Sequence, residues 1–309
     1  MERGYKMISI FSKIKKVIKE EERARFRIAT AFKFAIIPIL SILFLLVLGY
    51  IILSVTLSVL NSHLAEISFI VPDLVNSFVS QTIINISPWI GVMFVILFCI
   101  GLMVGSLMLR PFKNIATYCE ERLVDESSTY DPSFTTDLML LNSFSEWFFH
   151  TVETNSSKNI AIPNKYKGIH KPVFEKNFFI YNFLIVIFVT IISAVTIHYL
   201  SLEIYEDLVD VVKEVYSKSK EVTGFTQSLY RIFFNVSNLA IAFNISLYLF
   251  FLFHIYSKVS TPAFGIFATM RSFISGKRHA RVHLIGYTYI RSYTRSINKY
   301  LDSLTQTKD

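Results

Sequence analysis

The chain has 309 residues, a formal net charge of +8 and 52% hydrophobic residues, among them 29 Phe. Its mean hydropathy is +0.47. Such a length would suit about two soluble domains, but this composition excludes them and points to a polytopic membrane protein. The pI of about 9.3 does not imply nucleic acid. The charges hug membrane-proximal segments, so anionic lipid headgroups are the expected partner.

In chain order, residues 1–33 come first as a basic arm. Within it, IFSKIKKVIKEEERARFR intersperses Lys and Arg with Ile10, Phe11, Ile14 and Ile18. The pattern fits a helix lying on anionic lipid and equally a solvated topological anchor. Four windows then lack Asp, Glu, Lys and Arg: Phe34 to Leu60, Ile83 to Leu109, Phe178 to Leu200 and Ile232 to Ser257. Each is long enough to cross a hydrocarbon core of ~30 Å, which takes about 20 helical residues. The first is too long for a cleaved signal peptide and reads as an uncleaved anchor.

The spacing predicts two transmembrane hairpins, 34–109 and 178–257, each with a short outer segment. Between them lie a cytoplasmic helical segment, 110–157, and a linker, 158–177, rich in Asn, Ser, Lys and Pro without periodicity. The tail, 258–309, is a module of its own. Of the 31 Lys and Arg, 27 fall in the arm, the segment between the hairpins and the tail. Positive charge near spans stays on the cytoplasmic side, so both termini are expected there. Neither outer segment is large enough for a solute-binding domain. In the second, Leu202, Tyr205, Leu208, Val212 and Val215 recur at three and four, an amphipathic helix continuing the third span and doubling back at Gly224.

Nothing in the sequence assembles a nucleophile, a phosphate loop or a metal cluster, so no enzyme activity, cofactor or metal site is expected. Cys99 and Cys119 have neither disulfide nor zinc spacing. The spans contain no charged residue, which gives an ion pathway little support. Asn182, Asn238 and Asn244 within spans read as hydrogen-bonding between helices, and His198 and His254 as interfacial rings.

The most patterned stretch follows the last span. From Pro262 the apolar residues Ile266, Met270 and Phe273 follow at four and three, one seam of a short helix with proline in its first turn. Gly276 ends that helix, as a residue free to take positive φ does. Val282 and Leu284 then punctuate an extended connector. A second helix follows with Ile290, Tyr293, Ile297, Tyr300 and Leu304 at three and four, a heptad seam. About twelve extended residues can retrace the first helix, so the two can run parallel. Neither is stable alone, and a second copy of the chain is the expected partner.

From Lys258 to about Leu304 these residues resemble the HAMP domain of bacterial receptors and sensor kinases. The resemblance rests on Pro262, the fourteen-residue step to Gly276, Arg281-Val282 with Leu284, Gly286, and Ile297-Asn298 with Leu301. Lys277 and Thr288-Tyr289 stand where the family usually has acidic residues. The first half looks like a decayed second copy: Pro111 lies 151 residues before Pro262, Ile115 and Asp137-Leu138-Met139 fall near the expected places, and Asp125 replaces the glycine.

The resemblance implies a homodimeric parallel four-helix bundle in a bacterial inner membrane protein. Its dimer core would be Pro262, Ile266, Met270, Phe273, Gly276, Val282, Leu284, Ile290, Tyr293, Ile297 and Leu304. The expected fold class is an all-α integral membrane protein with four transmembrane helices and a cytoplasmic helix-connector-helix module. The chain ends soon after the second seam, so any output would pass to a separate effector.

Two functions follow: a signal-relay subunit, or a structural subunit using the tail as a static clamp. A small transporter would instead need a polar cavity between spans. Lys277, Arg278, His279 and Arg281 sit about 20 Å beyond the membrane surface, past the ~8 Å Debye length. They read as a solvated turn or as a contact for an acidic cytoplasmic partner.

Overall fold

The computed structural model describes residues 2–63, 71–131, 138–154, 160–169, 176–216 and 221–306. All its regular structure is helical. The helices are α1 (Glu2–His63), α2 (Val71–Arg122), α3 (Met139–Thr154), α4 (Asn164–Lys167), α5 (Lys176–Tyr216), α6 (Glu221–Ile274) and α7 (Arg291–Gln306), with a 3-10 turn at Thr288–Ile290. Among the described residues, four stretches are long and apolar enough to cross a membrane: Glu21–Val55, Ser80–Arg122, Phe178–Asp210 and Thr226–Ile274. The protein is therefore a multi-pass membrane protein. The side chains of Ile10, Phe11, Ile14, Ile18, Val212 and Val215, and Asp137 as a whole, lie outside the described residues.

The helices are longer than the apolar windows that seeded them. Pro262 does not open a new helix; α6 runs through it without a break, as α1 runs through Pro38. Gly224, expected to be where the chain doubles back, instead lies inside α6. A glycine costs a helix only about 1 kcal/mol relative to Ala, which a 54-residue helix absorbs.

The chain divides into two compact units, each assembled from separate stretches. One comprises Phe32–Cys99 and Ile185–Phe251. Its core packs Ile42, Leu45, Ile197, Leu200, Phe233 and Ala240. Among the span asparagines, Asn244 Nδ2 donates to Ser41 Oγ at 3.0 Å, bridging two helices. Asn182, in the other unit, instead donates to the Phe178 carbonyl of its own helix, and Asn238 is exposed. Apolar residues such as Ile84, Val195 and Phe250 are exposed, as lipid-facing surface requires in a spanning helix. A small cavity of about 50 Å³ is lined by Leu45, Leu53, Ile204 and Phe233, with Thr82 and Tyr50 as polar neighbours.

The other unit comprises Met1–Ala31, Ile100–Leu184 and Leu252–Asp309. It gathers the basic arm, the segment between the hairpins and the tail, which are remote in sequence. From the stretch expected to be a linker, the described residues 160–169 pack within it: Tyr166 on α4 is fully buried against Phe144, Trp147 and Phe267. Arg271 Nη1 holds that stretch by donating to the carbonyls of Tyr166, at 3.2 Å, and Ile169, at 2.7 Å. An aromatic anchor and one arginine nitrogen shared by two carbonyls thus hold residues 164–169, whose polar composition reads as loop.

Candidate functional site: a four-helix bundle within one chain

Each seam of the tail is covered by the chain itself. On α6, Ile266, Met270 and Phe273 are fully buried; on the 3-10 turn and α7, Ile290 and Ile297 are fully buried and Tyr293 nearly so. Leu304, at the end of the seam, is only half-buried. The covering surface comes from the distal part of α2 and from α3. Phe144 meets Phe267 with ring centroids 4.5 Å apart, Phe148 meets Phe273 at 6.3 Å, and Tyr300 meets Phe149 at 5.6 Å and Tyr118 at 6.2 Å. Polar contacts join the same elements, with Ser296 Oγ donating to Glu120 Oε1 at 2.5 Å and Arg23 Nη2 donating to Ser292 Oγ at 2.9 Å.

Both helix pairs in this bundle are parallel. At one end of the tail pair, the Tyr289 hydroxyl reaches the Lys258 carbonyl at 2.6 Å. At the other, Arg281 binds Asp302 at 2.7 Å, and Asn298 pairs with Val282. Starts meet starts and ends meet ends, so the connector retraces α6. In the first half, Tyr118 and Arg122 near the end of α2 both contact Glu153 near the end of α3, the same relation.

The two halves stop their first helix by different chemistry. After α6, Gly276 takes φ +101°; its N–H bonds the Phe273 carbonyl and the Lys277 N–H bonds the Ser272 carbonyl. These are the paired bonds of a glycine-dependent helix end. After α2, Asp125 adopts no positive φ. Its carboxylate accepts from the Ser127 N–H at 2.9 Å and the Ser127 hydroxyl at 2.7 Å, and these two bonds hold its pKa below the usual carboxylate value. Gly276→Ala is expected to cost about 1–2 kcal/mol through the unfavourable φ. Thermal unfolding of the purified protein in detergent reads this, with Asp125→Gly as the contrasting change that needs no positive φ.

The connector is pinned at three points. Leu284 packs so closely on Gly265 that an added Cβ would lie 2.6 Å from its Cδ2. Val282 is buried and offers its N–H to Asn298 Oδ1 at 2.8 Å and its carbonyl to Asn298 Nδ2 at 3.1 Å; one side chain thus satisfies both backbone groups. Gly286 takes φ +84° where the connector turns into the 3-10 turn. Of the basic cluster, Arg281 also donates to the carbonyls of Arg278 and Ala280, and the Arg278 guanidinium lies 4.9 Å over the Phe273 ring. Lys277 and His279 are exposed. Arg281 therefore closes the turn structurally, and only two of the four side chains face outward freely.

Tyr289 explains how α6 survives Pro262. Proline has no N–H, so the carbonyl four residues earlier loses its helical donor. That carbonyl is Lys258's, and the Tyr289 hydroxyl supplies the missing bond. Burial, with neighbouring Tyr287, pushes the Tyr289 phenol above its ordinary value, so it stays a donor at neutral pH. Its ring stacks on Phe26 at 4.2 Å, fixing the hydroxyl. The other unit repeats the device: Pro38 orphans the Phe34 carbonyl, and the Tyr248 hydroxyl donates to it at 3.2 Å. No periodicity signals these tyrosines, because each lies far from its proline in sequence. Gly265, Arg271 and Tyr166 were equally invisible to spacing arguments. The seams of α2 and α3 were not: Phe112, Ile115 and Cys119, then Leu141, Phe144 and Phe148, recur at three and four and are all buried.

In comparisons with known proteins, no family model, curated protein or solved structure matches this chain.

Proposed function

We propose that the chain is a membrane signal-relay subunit of a bacterial inner membrane, with both termini in the cytoplasm. In this reading two HAMP-like helix pairs, one from each half, form a single relay bundle. The observation that carries it is the continuity of α6: one helix holds both the fourth apolar window and the seam residues Ile266, Met270 and Phe273. A rotation or shift of the span is then a rotation or shift of the seam, and packed interfaces respond by discrete repacking. The parallel arrangement of each helix pair supports the same reading, because it lets the two helices of a pair move together. A second copy is not needed to cover the seams, so a homodimer would use other surfaces. The signal passes to a separate cytoplasmic protein, for which exposed Lys277 and His279 offer a contact to an acidic surface.

A static clamp is the second reading, favoured by the hydrogen bonds that tie the halves together at Ser296–Glu120 and Arg23–Ser292. One experiment separates them. Cysteines at Glu120 and Ser296, joined by a short bifunctional thiol reagent, lock the halves in the full chain. Proteins copurifying from native membranes are then compared with and without the lock. A partner whose recovery changes supports relay, and one recovered equally supports the clamp.

A further inference from the structure

We infer that the chain carries a built site for the phosphate of an anionic glycerophospholipid, in a cavity between α1, α2 and α7. The cavity holds about 420 Å³ and is lined by Arg23 and Arg27 from α1, by Met103, Ser106, Leu107, Leu109, Arg110 and Lys113 from α2, and by Tyr293 from α7. Helical spacing makes this convergence: Arg23 and Arg27 are four apart on one helix, and Ser106, Arg110 and Lys113 are four and three apart on another. Four cations thus face one space, and no carboxylate lines it.

Retention of basic residues on the cytoplasmic side explains why such charges flank the spans. It does not explain why two helices aim them into a common cavity, where like charges repel unless an anion intervenes. Arg27, Arg110 and Lys113 form no ion pair among the described residues. Arg23 is held in place by its bond to Ser292 and by stacking 4.4 Å over the Tyr293 ring, yet its buried Nε has no acceptor. Close approach of the two helices is secured at Gly105, where an added Cβ would lie 3.2 Å from the Arg27 Cα. The site is therefore positioned by packing that is independent of its ligand.

The lining also selects the source of the phosphate. Arg110 is the first charge after the uncharged run from Ile83 to Leu109, so the cavity stands where headgroups meet acyl chains. Met103, Leu107 and Leu109 give it an apolar side suited to the glycerol backbone and the first methylenes, while the guanidinium groups suit phosphate oxygens. Soluble phosphate has no use for that apolar side. The site holds whether the bundle relays or clamps, and it is distinct from the attraction of the basic arm to a charged surface.

The test uses the full chain in nanodiscs of phosphatidylcholine, titrated with phosphatidylglycerol and followed by native mass spectrometry and thermal unfolding. Wild type is expected to retain the anionic lipid and to unfold at a higher temperature with it. The triple variant Arg27→Gln, Arg110→Gln, Lys113→Gln is expected to bind it roughly 100-fold more weakly, from about a fivefold loss per basic residue. Its unfolding in neutral lipid should stay unchanged, which separates ligand loss from misfolding. Removing equal charge elsewhere, with Lys167→Gln, Arg295→Gln and Lys299→Gln, should leave retention as in wild type. Equal loss in both triple variants, or none in the first, overturns the site. A wild-type stabilisation by inorganic phosphate equal to that by the lipid overturns the lipid assignment.

Discussion

Phe144→Ala, a change in the first half of the chain, is expected to loosen the tail. Phe144 is fully buried and its ring meets Phe267 on α6, Tyr166 on α4 and Trp147 on its own helix. Truncating a buried Phe costs about 3–5 kcal/mol from lost burial and the cavity left behind. If the bundle is one cooperative element, that cost appears in every helix of it. Amide hydrogen exchange in α7 and in the Val282 to Leu284 connector should then accelerate by roughly 100-fold or more, although Phe144 lies well over a hundred residues away in sequence. Met139→Ala on the exposed face of the same helix should leave exchange unchanged. Acceleration confined to α3 would mean that the tail is stable by itself and that the halves do not form one unit.

The same geometry changes what a cross-link between copies would report. Ile266, Ile290 and Ile297 are fully buried inside a single chain, so cysteines there should not join two copies. Cysteines at Glu120 and Ser296 should react within one chain. Mixing isotopically heavy and light protein decides the matter, since intrachain links give only heavy–heavy and light–light peptides. Mixed pairs at the three isoleucines would restore the requirement for a dimeric seam.

Much of this arrangement was readable from spacing, because seams and helix ends are local. Ile266 to Phe273 and Ile290 to Leu304 declare one face of a helix each, and Gly276 declares a helix end that only a glycine tolerates well. The apolar windows declare spans by length. What spacing cannot declare is which surface covers a seam. A helix face exposes no preference between a second copy and the chain's own α2 and α3, and the aromatic residues of α3 lie too far away in sequence for any window to relate them. Tail proline and glycine look like a complete module, whereas in the first half Asp125 reaches a similar end through an Asx turn, which blurs the repeat. Residues 160–169 were hard to read for a related reason: one Tyr among polar residues is a weak pattern and a strong anchor.

Tyr289→Phe is expected to destabilise the exit of α6 by about 1 kcal/mol or slightly more, the cost of leaving a part-buried carbonyl without its donor. The loss should depend on Pro262. In Pro262→Ala the helix regains an N–H four residues after Lys258, the carbonyl is satisfied by the backbone, and the tyrosine hydroxyl becomes redundant. Adding Tyr289→Phe to Pro262→Ala should therefore cost only a few tenths of a kcal/mol, giving a coupling energy of about 1 kcal/mol in a double-mutant cycle. Thermal unfolding of the four proteins measures it, while the Phe ring preserves the stack on Phe26. Additive losses would show that Tyr289 acts through packing alone. Pro38 and Tyr248 provide an independent repeat of the cycle in the other unit, where the Phe34 carbonyl accepts from Tyr248. A helix that runs unbroken through a proline needs a donor at the orphaned carbonyl; the Tyr289 hydroxyl supplies one, and a carboxylate has none to give.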